Sequence, residues 1–348
     1  MTSAVQAGES VAPGPSGGES LHYWSMAMAA LAGLVLFLFG MSQLAQGLTE
    51  LNTERMRRVM SRFTSNRFAG VATGAVATAL LESSSVTIIM TIAMVSGGIL
   101  TLAQALGVVL GANIGTTVGA QLIAFDLAEY VPLLMLAGLL LLALGKSDTR
   151  KRLGMILLGF GLLYYGLEAI DQAMKPLRSH GPFLGWMRSL GDNAVMGALV
   201  GCVFTLIIQS SSATVAIVIT LAGSGLVTLP AGVAIMLGAE IGTCSDTLIA
   251  TIGRGRPALR TGVFHLLFNL FSAVLGVLFA PQLIALAQWM SAGAGIGRQI
   301  ANAQIVFNVI GVAVVLPLLP AAARALERLL PDRQAAGTST PVAEPARG

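Results

Sequence analysis

The sequence predicts an all-α polytopic membrane protein built from two inverted repeats, each with a re-entrant helical hairpin, and about seven full transmembrane helices. Three observations predict it. Of 348 residues, 55% are hydrophobic and 10% charged, against about 25% charged in soluble domains, and the mean hydropathy is +0.80. Uncharged runs reach the ~20 residues that a bilayer crossing needs. Two apolar segments are each interrupted by a serine triplet, at positions 127 residues apart.

This composition excludes a disordered chain, a secreted disulfide scaffold and a nucleic-acid binder. A formal net charge of +4 is too small for a nucleic-acid patch, and the basic residues are expected to cluster on one side of the membrane. Cys202 and Cys244 lie in apolar stretches, so no disulfide is expected.

Residues 1–25 are rich in Gly, Pro, Ser and Ala, contain no Lys or Arg, and read as a disordered tail. The uncharged run 26–47 lacks the basic flank of a secretory signal and reads as a true membrane helix opening the first repeat, residues 26–152. A basic stretch follows (Arg55, Arg57, Arg58, Arg62, Arg67), then an apolar segment split by Glu82-Ser83-Ser84-Ser85. The pieces 68–81 and 86–95 are each too short to span. Two half-helices meeting at a polar point predict a re-entrant hairpin over about 68–96, because polar backbone at membrane depth is tolerated only where protein or a water-filled cavity surrounds it. An uncharged helix over 102–125 and an apolar run over 131–145 lead to the basic loop 146–152.

Aligning Glu82 with Gln209 without gaps gives nineteen identities over residues 66–116, six of them within seven residues of 110–116. The second repeat is therefore placed at 153–320, with its hairpin at about 194–223 and a final helix, and a cytoplasmic tail at 321–348. Three full crossings separate equivalent points, and an odd number inverts the second copy. Sixteen Lys and Arg then fall on the cytoplasmic side against four outside, with the N-terminus outside and the C-terminus inside. Treating both split segments as single crossings gives fifteen against five, but leaves the 146–152 loop outside and Glu82 on a continuous spanning helix.

Each serine triplet opens a half-helix whose first backbone N–H groups lack intrahelical partners. Two such starts meeting at the midplane predict an anion site, with hydroxyls adding donors without charge. The same hydroxyls and the unwound carbonyls are hard oxygen donors suited to a monovalent or other hard cation, so no transition metal is expected. Glycines spaced by four, 107-111-115-119, 70-74 and 197-201, read as helix-packing positions. Ionisable groups in the spans are Glu82, Glu240, Asp246 and His265. Under the repeat alignment Glu82 faces Gln209, Asn113 faces Glu240, and Asp246 faces Gly119. A carboxylate at such a site binds a cation or carries a proton. For His265, Asn269 and Asn308, packing and interhelical hydrogen bonding are the expected roles.

The pair Glu82-Ser-Ser-Ser and Gln209-Ser-Ser-Ser, followed by Gly111-Ala-Asn-Ile-Gly-Thr-Thr117 and Gly238-Ala-Glu-Ile-Gly-Thr-Cys244, resembles the sodium/phosphate cotransporter family, type II and its bacterial relatives. The resemblance covers residues 30–320. It implies symport of inorganic phosphate with sodium ions in a bacterial inner membrane, without a cofactor. By position, Ser83, Ser84, Ser85, Gln209, Ser210, Ser211 and Ser212 would hold phosphate and sodium. Asn113, Thr116, Thr117 and Thr243 would complete the ion sites, and Glu82, Glu240 and Asp246 would bind or couple cations. The sequence departs from the family motif at Glu82 (family Gln), Glu240 (family Asn) and Cys244 (family Thr). Only 28 residues follow Pro320, so the soluble regulatory domain of many bacterial relatives is expected to be absent.

Rival readings are a proton-coupled or export-direction carrier using Glu82 and Glu240, a passive channel, and an intramembrane serine hydrolase with His265 as base. No Gly-x-Ser-x-Gly elbow supports the last.

Overall fold

The computed structural model describes residues 22–125 and 127–332; most of both terminal tails lies outside them. Among the described residues all regular structure is helical. Six helices are long and apolar enough to cross a membrane, or seven if one pair bent by 106° counts as a single span. The chain is a multi-pass membrane protein.

The first helix, α1 (Tyr23–Phe63), begins inside the expected tail and runs 41 residues, through most of the basic stretch that follows the apolar run. Arg, Met and Glu are good helix formers, so leaving the apolar region does not end it. Helices α2 (Arg67–Leu81), α3 (Ser84–Ser96) and α4 (Leu102–Ile123) follow. The pair α5 (Val131–Leu144) and α6 (Asp148–Met174) closes the first half and opens the second. A helix packed against α10, α7 (Gly181–Asp192), precedes α8 (Ala194–Ile208), α9 (Ser211–Gly223), α10 (Leu229–Gly242) and the short α11 (Cys244–Ile249). The chain ends in α12 (Gly255–Leu278), α13 (Ala280–Met290) and α14 (Ile296–Leu329). The last continues nine residues beyond the expected boundary at 320, with Pro317 and Pro320 inside it. Neighbouring helices can re-satisfy backbone groups freed by proline.

The repeat is visible in the elements themselves. Shifted by 127, α2 coincides with α8 and α3 with α9 at both ends, and α4 and α10 start together. Matched N-caps explain it: Asn66 and Asn193, Ser83 and Ser210, Thr101 and Thr228 each accept a backbone N–H of the first turn.

Chain direction follows from close approaches. A Cβ at Gly111 would lie 2.0 Å from the Val71 carbonyl oxygen, and one at Gly119 would meet Glu82, so α2 and α4 run parallel and interlocked. Only five residues join α3 to α4, at most ~3.5 Å each, whereas α4 is about 33 Å long at 1.5 Å per residue. The chain must therefore turn back at Glu82–Ser83, with α3 returning to the start of α2. The second half repeats this: a Cβ at Gly238 would sit 1.7 Å from the Ala198 carbonyl oxygen, and α8 runs parallel to α10.

The open ends of the two hairpins lie at opposite ends of the bundle. The end of α4 meets the start of α14, where Arg298 stacks 3.9 Å from the Phe125 ring and Gln121 donates to Asn302 at 3.0 Å. The end of α9 and the start of α10 lie there too, Gly297 against Ile219 and Gly232 against Ile300. At the other end the Ser96 hydroxyl donates to the Arg254 carbonyl at the head of α12, Arg152 pairs with Glu50, and Arg260 donates to Leu330. The basic stretches gather at this second end.

Candidate functional site

Both hairpin tips turn through the same two-residue geometry. Glu82 and Gln209 are left-handed, with φ of 50° and 61°, and Ser83 and Ser210 are extended, with φ of −152° and −153°. A left-handed non-glycine residue costs about 1–2 kcal/mol, and such strain concentrates at functional sites. Replacing Gln209 with glycine removes this strain but adds about 0.5–1 kcal/mol of glycine backbone entropy and gives up the side-chain bonds to Ser245 and Leu206, so a small net gain, on the order of 0.5 kcal/mol, is expected. Thermal unfolding in detergent reads this gain, and an unchanged or lower midpoint would remove the strain argument.

The Ser83 and Ser210 hydroxyls accept from Val86 N–H and Ala213 N–H, both at 3.2 Å. The N–H groups of Ser84, Ser85, Ser211 and Ser212 remain at the helix starts. These tips line one cavity of about 350 Å³. From the first half it takes Glu82 and Ser83 to Ser85; from the second, Ile208, Gln209 and Ser210 to Ser212, with Thr243 and Asp246 from the α10–α11 junction. Leu38, Met41, Ser42 and Ala45 of α1 form a wall.

Ser85 from the first half and Asp246 from the second line the cavity together. Asp246 accepts from Thr247 N–H at 2.5 Å. Gln209 accepts from Ser245 at 3.4 Å and donates to the Leu206 carbonyl. The Glu82 carboxylate lies over Gly119, where a Cβ would meet Oε2, and Gly119 is the repeat partner of Asp246. Each half thus contributes one carboxylate beside its tip, from crossed positions. Among the described residues, no lysine, arginine or histidine lines the cavity.

Of the fourteen expected site residues, the structure gathers ten here and leaves four outside the lining. Asn113, Thr116 and Thr117 are buried in α4, with side chains donating to the carbonyls of Val109, Ala112 and Ile114 at 2.9, 3.0 and 2.8 Å. Glu240 is 1% exposed and accepts from the Gln304 amide at 2.7 Å. Sequence reasoning missed the α1 wall. Ser42, polar within the uncharged run 26–47, was the available signal. His265 is not among the residues that line the cavity, and its Nδ1 lies 2.8 Å from the Thr247 hydroxyl.

Comparison with known proteins agrees with this architecture. The profile of the family described as Na+/Pi-cotransporter matches residues 36–172 and 178–301. A Bacillus subtilis protein, "Uncharacterized protein YqeW", is 27% identical over 300 residues, which is 86% of this chain and 97% of the relative. Escherichia coli "Putative inorganic phosphate export protein YjbB" is 27% identical over 308 residues, 87% of this chain but 55% of the relative. The chain thus spans about half the length of that relative. Human "Sodium-dependent phosphate transport protein 2B" is 28% identical over 147 residues, 37% of this chain and 21% of the relative. No solved structure matches. With both halves of the duplicated core inside the matched profile, the chain belongs to the Na+/Pi-cotransporter family.

Proposed function

We propose that this chain is a secondary active transporter that carries inorganic phosphate across a bacterial inner membrane by sodium-coupled symport and alternating access. The observation that carries the proposal is the cavity between the tips, where paired half-helix starts and serine hydroxyls supply donors while Glu82 and Asp246 supply the only charges among the described residues. Helix N-termini favour anions, yet two carboxylates repel one. A phosphate there needs cations beside it, which is the chemistry of cation-coupled binding. The antiparallel course of α4 and α10 supports an inverted-repeat reading, with hairpins re-entering from opposite faces. Clustering of the basic stretches at one end supports a cytoplasmic assignment for that end and for the C-terminus, with the N-terminus outside.

The test is radiolabelled phosphate uptake into proteoliposomes under an inward sodium gradient, compared with an equal potassium gradient at two pH values. Sodium-dependent accumulation is expected. No phosphate movement under any imposed gradient would overturn the proposal.

One observation favours a second reading, proton-coupled or export-direction transport: Glu82 occupies a tip position whose repeat partner is the neutral Gln209. Glu82→Gln separates the two. Under sodium coupling the variant keeps or raises uptake, because the carboxylate is one cation ligand among several. Under proton coupling, pH-driven flux is abolished while sodium remains without effect.

A further inference from the structure

A second polar interior lies between α10, α12 and α14, outside the serine-lined cavity. Its residues form a closed circuit of neighbours. Glu240 accepts from Gln304, and Asn308 donates to the Gln304 carbonyl at 3.1 Å. One turn beyond Asn308, a Cβ at Gly311 would lie 2.9 Å from the Ser272 hydroxyl. One turn before Ser272, Asn269 donates to the Cys244 sulfur at 3.2 Å. Cys244 in turn donates to the Glu240 carbonyl. All of these side chains are buried.

Apart from the Ser272 hydroxyl, the donors named here are used, while several of the neutral oxygens accept nothing. Asn269 Oδ1, Gln304 Oε1, Asn308 Oδ1 and the Ser272 hydroxyl have no partner. His265 adds to the imbalance. The Thr247 hydroxyl spends its proton on the Cys244 carbonyl at 2.9 Å, so His265 Nδ1 donates to it and Nε2 is left as an unpaired acceptor. Buried polar atoms are almost always paired, and a buried carboxylate needs a counter-charge. A proton on Glu240 would neutralise that one group and leave the other oxygens unpaired. A hard monovalent cation satisfies the carboxylate and the neutral oxygens together.

We propose that this interior is a sodium-binding site, in which Glu240, Asn269, Ser272, Gln304 and Asn308 supply oxygen ligands to one ion. The proposal deepens the sodium-coupled reading and rests on it for the ion's role in transport, but not for its binding. Its link to the cavity is the α10–α11 segment. That segment turns Glu240 and Cys244 into the interior and carries Thr243 and Asp246 on the cavity wall. Ion occupancy therefore sets where two cavity residues stand.

The test uses the purified full-length chain in detergent without phosphate. Radioactive sodium binding and the thermal midpoint are followed as sodium replaces choline or potassium at constant ionic strength, at two pH values. Saturable binding and a midpoint rise with sodium alone are expected, with sodium affinity weakened about tenfold or more in Ser272→Ala and lost in Glu240→Gln. Ser272→Ala removes one small hydroxyl and keeps the test informative if Glu240→Gln fails to fold. In the cavity variant Ser211→Ala, phosphate binding is expected to fall while this sodium binding persists, so the failure of one site is distinguishable from failure of the other. Stabilisation that follows pH and ignores sodium, equal effects of potassium and sodium, or sodium affinity unchanged in Ser272→Ala would each overturn the proposal.

Discussion

Gly238→Ala is expected to cost at least about 3 kcal/mol and to lower the thermal midpoint sharply or prevent assembly. The added Cβ would stand 1.7 Å from the Ala198 carbonyl oxygen, 2.5 Å from its carbon and 2.7 Å from its Cα. All three are backbone atoms, so no rotamer change relieves the clash and α8 and α10 must separate. Overpacking a well-fitted interior costs ~1–3 kcal/mol where side chains can adjust, and here they cannot. Gly185→Ala is the control. It lies within α7 with nothing near the new Cβ, and alanine in a helix interior is favoured over glycine by ~0.8–1 kcal/mol. Unfolding monitored by circular dichroism in detergent should move the two variants in opposite directions. A midpoint for Gly238→Ala within a degree of the parent would refute the interlocked packing.

Ser84→Ala with Ser211→Ala is expected to reduce phosphate uptake by about two to four orders of magnitude while leaving the fold intact. These hydroxyls border the cavity, whereas the caps are made by the preceding Ser83 and Ser210, so their removal spares both half-helix starts. A hydrogen bond to a charged group is worth ~1.5–3 kcal/mol, and two lost bonds at ~1.4 kcal/mol per decade give that range. The single variants should each show about half the effect on a logarithmic scale. Ser83→Ala or Ser210→Ala should also cost about 1 kcal/mol of stability through the lost cap. Undiminished uptake in the double variant would remove the serines from the substrate site.

The hairpins were legible because their determinants are local. An αL residue followed by an extended serine cap, with Asn caps before and Thr caps after, occupies matched positions in both halves, and the alignment at 127 residues carries both ends of α2 and α3 and the start of α4 onto α8, α9 and α10. Helix ends set by continuity were not legible. The end of α1 runs on past its apolar span to Phe63, and α14 carries Pro317 and Pro320 through to Leu329, because neither charge nor proline halts a helix that is supported from outside. The convergence of Glu82, Gln209 and both serine triplets followed from the duplication. The α1 wall and the polar interior behind Glu240 did not, since spacing such as 265–269 and 304–308 tells which residues share a helix face but not which helix that face meets.

The glycine seams described above also determine what can move. Where α2 locks into α4, and α8 into α10, backbone touches backbone, so neither partner can slide or tilt without carrying the other. Each hairpin with its following helix is one lever. Between levers the meeting surfaces are made of side chains, such as Gln121 with Asn302 and Arg298 with Phe125, and these can part and re-form at modest cost. The seams therefore divide the bundle into stiff arms and soft joints, and place the serine cavity on a joint.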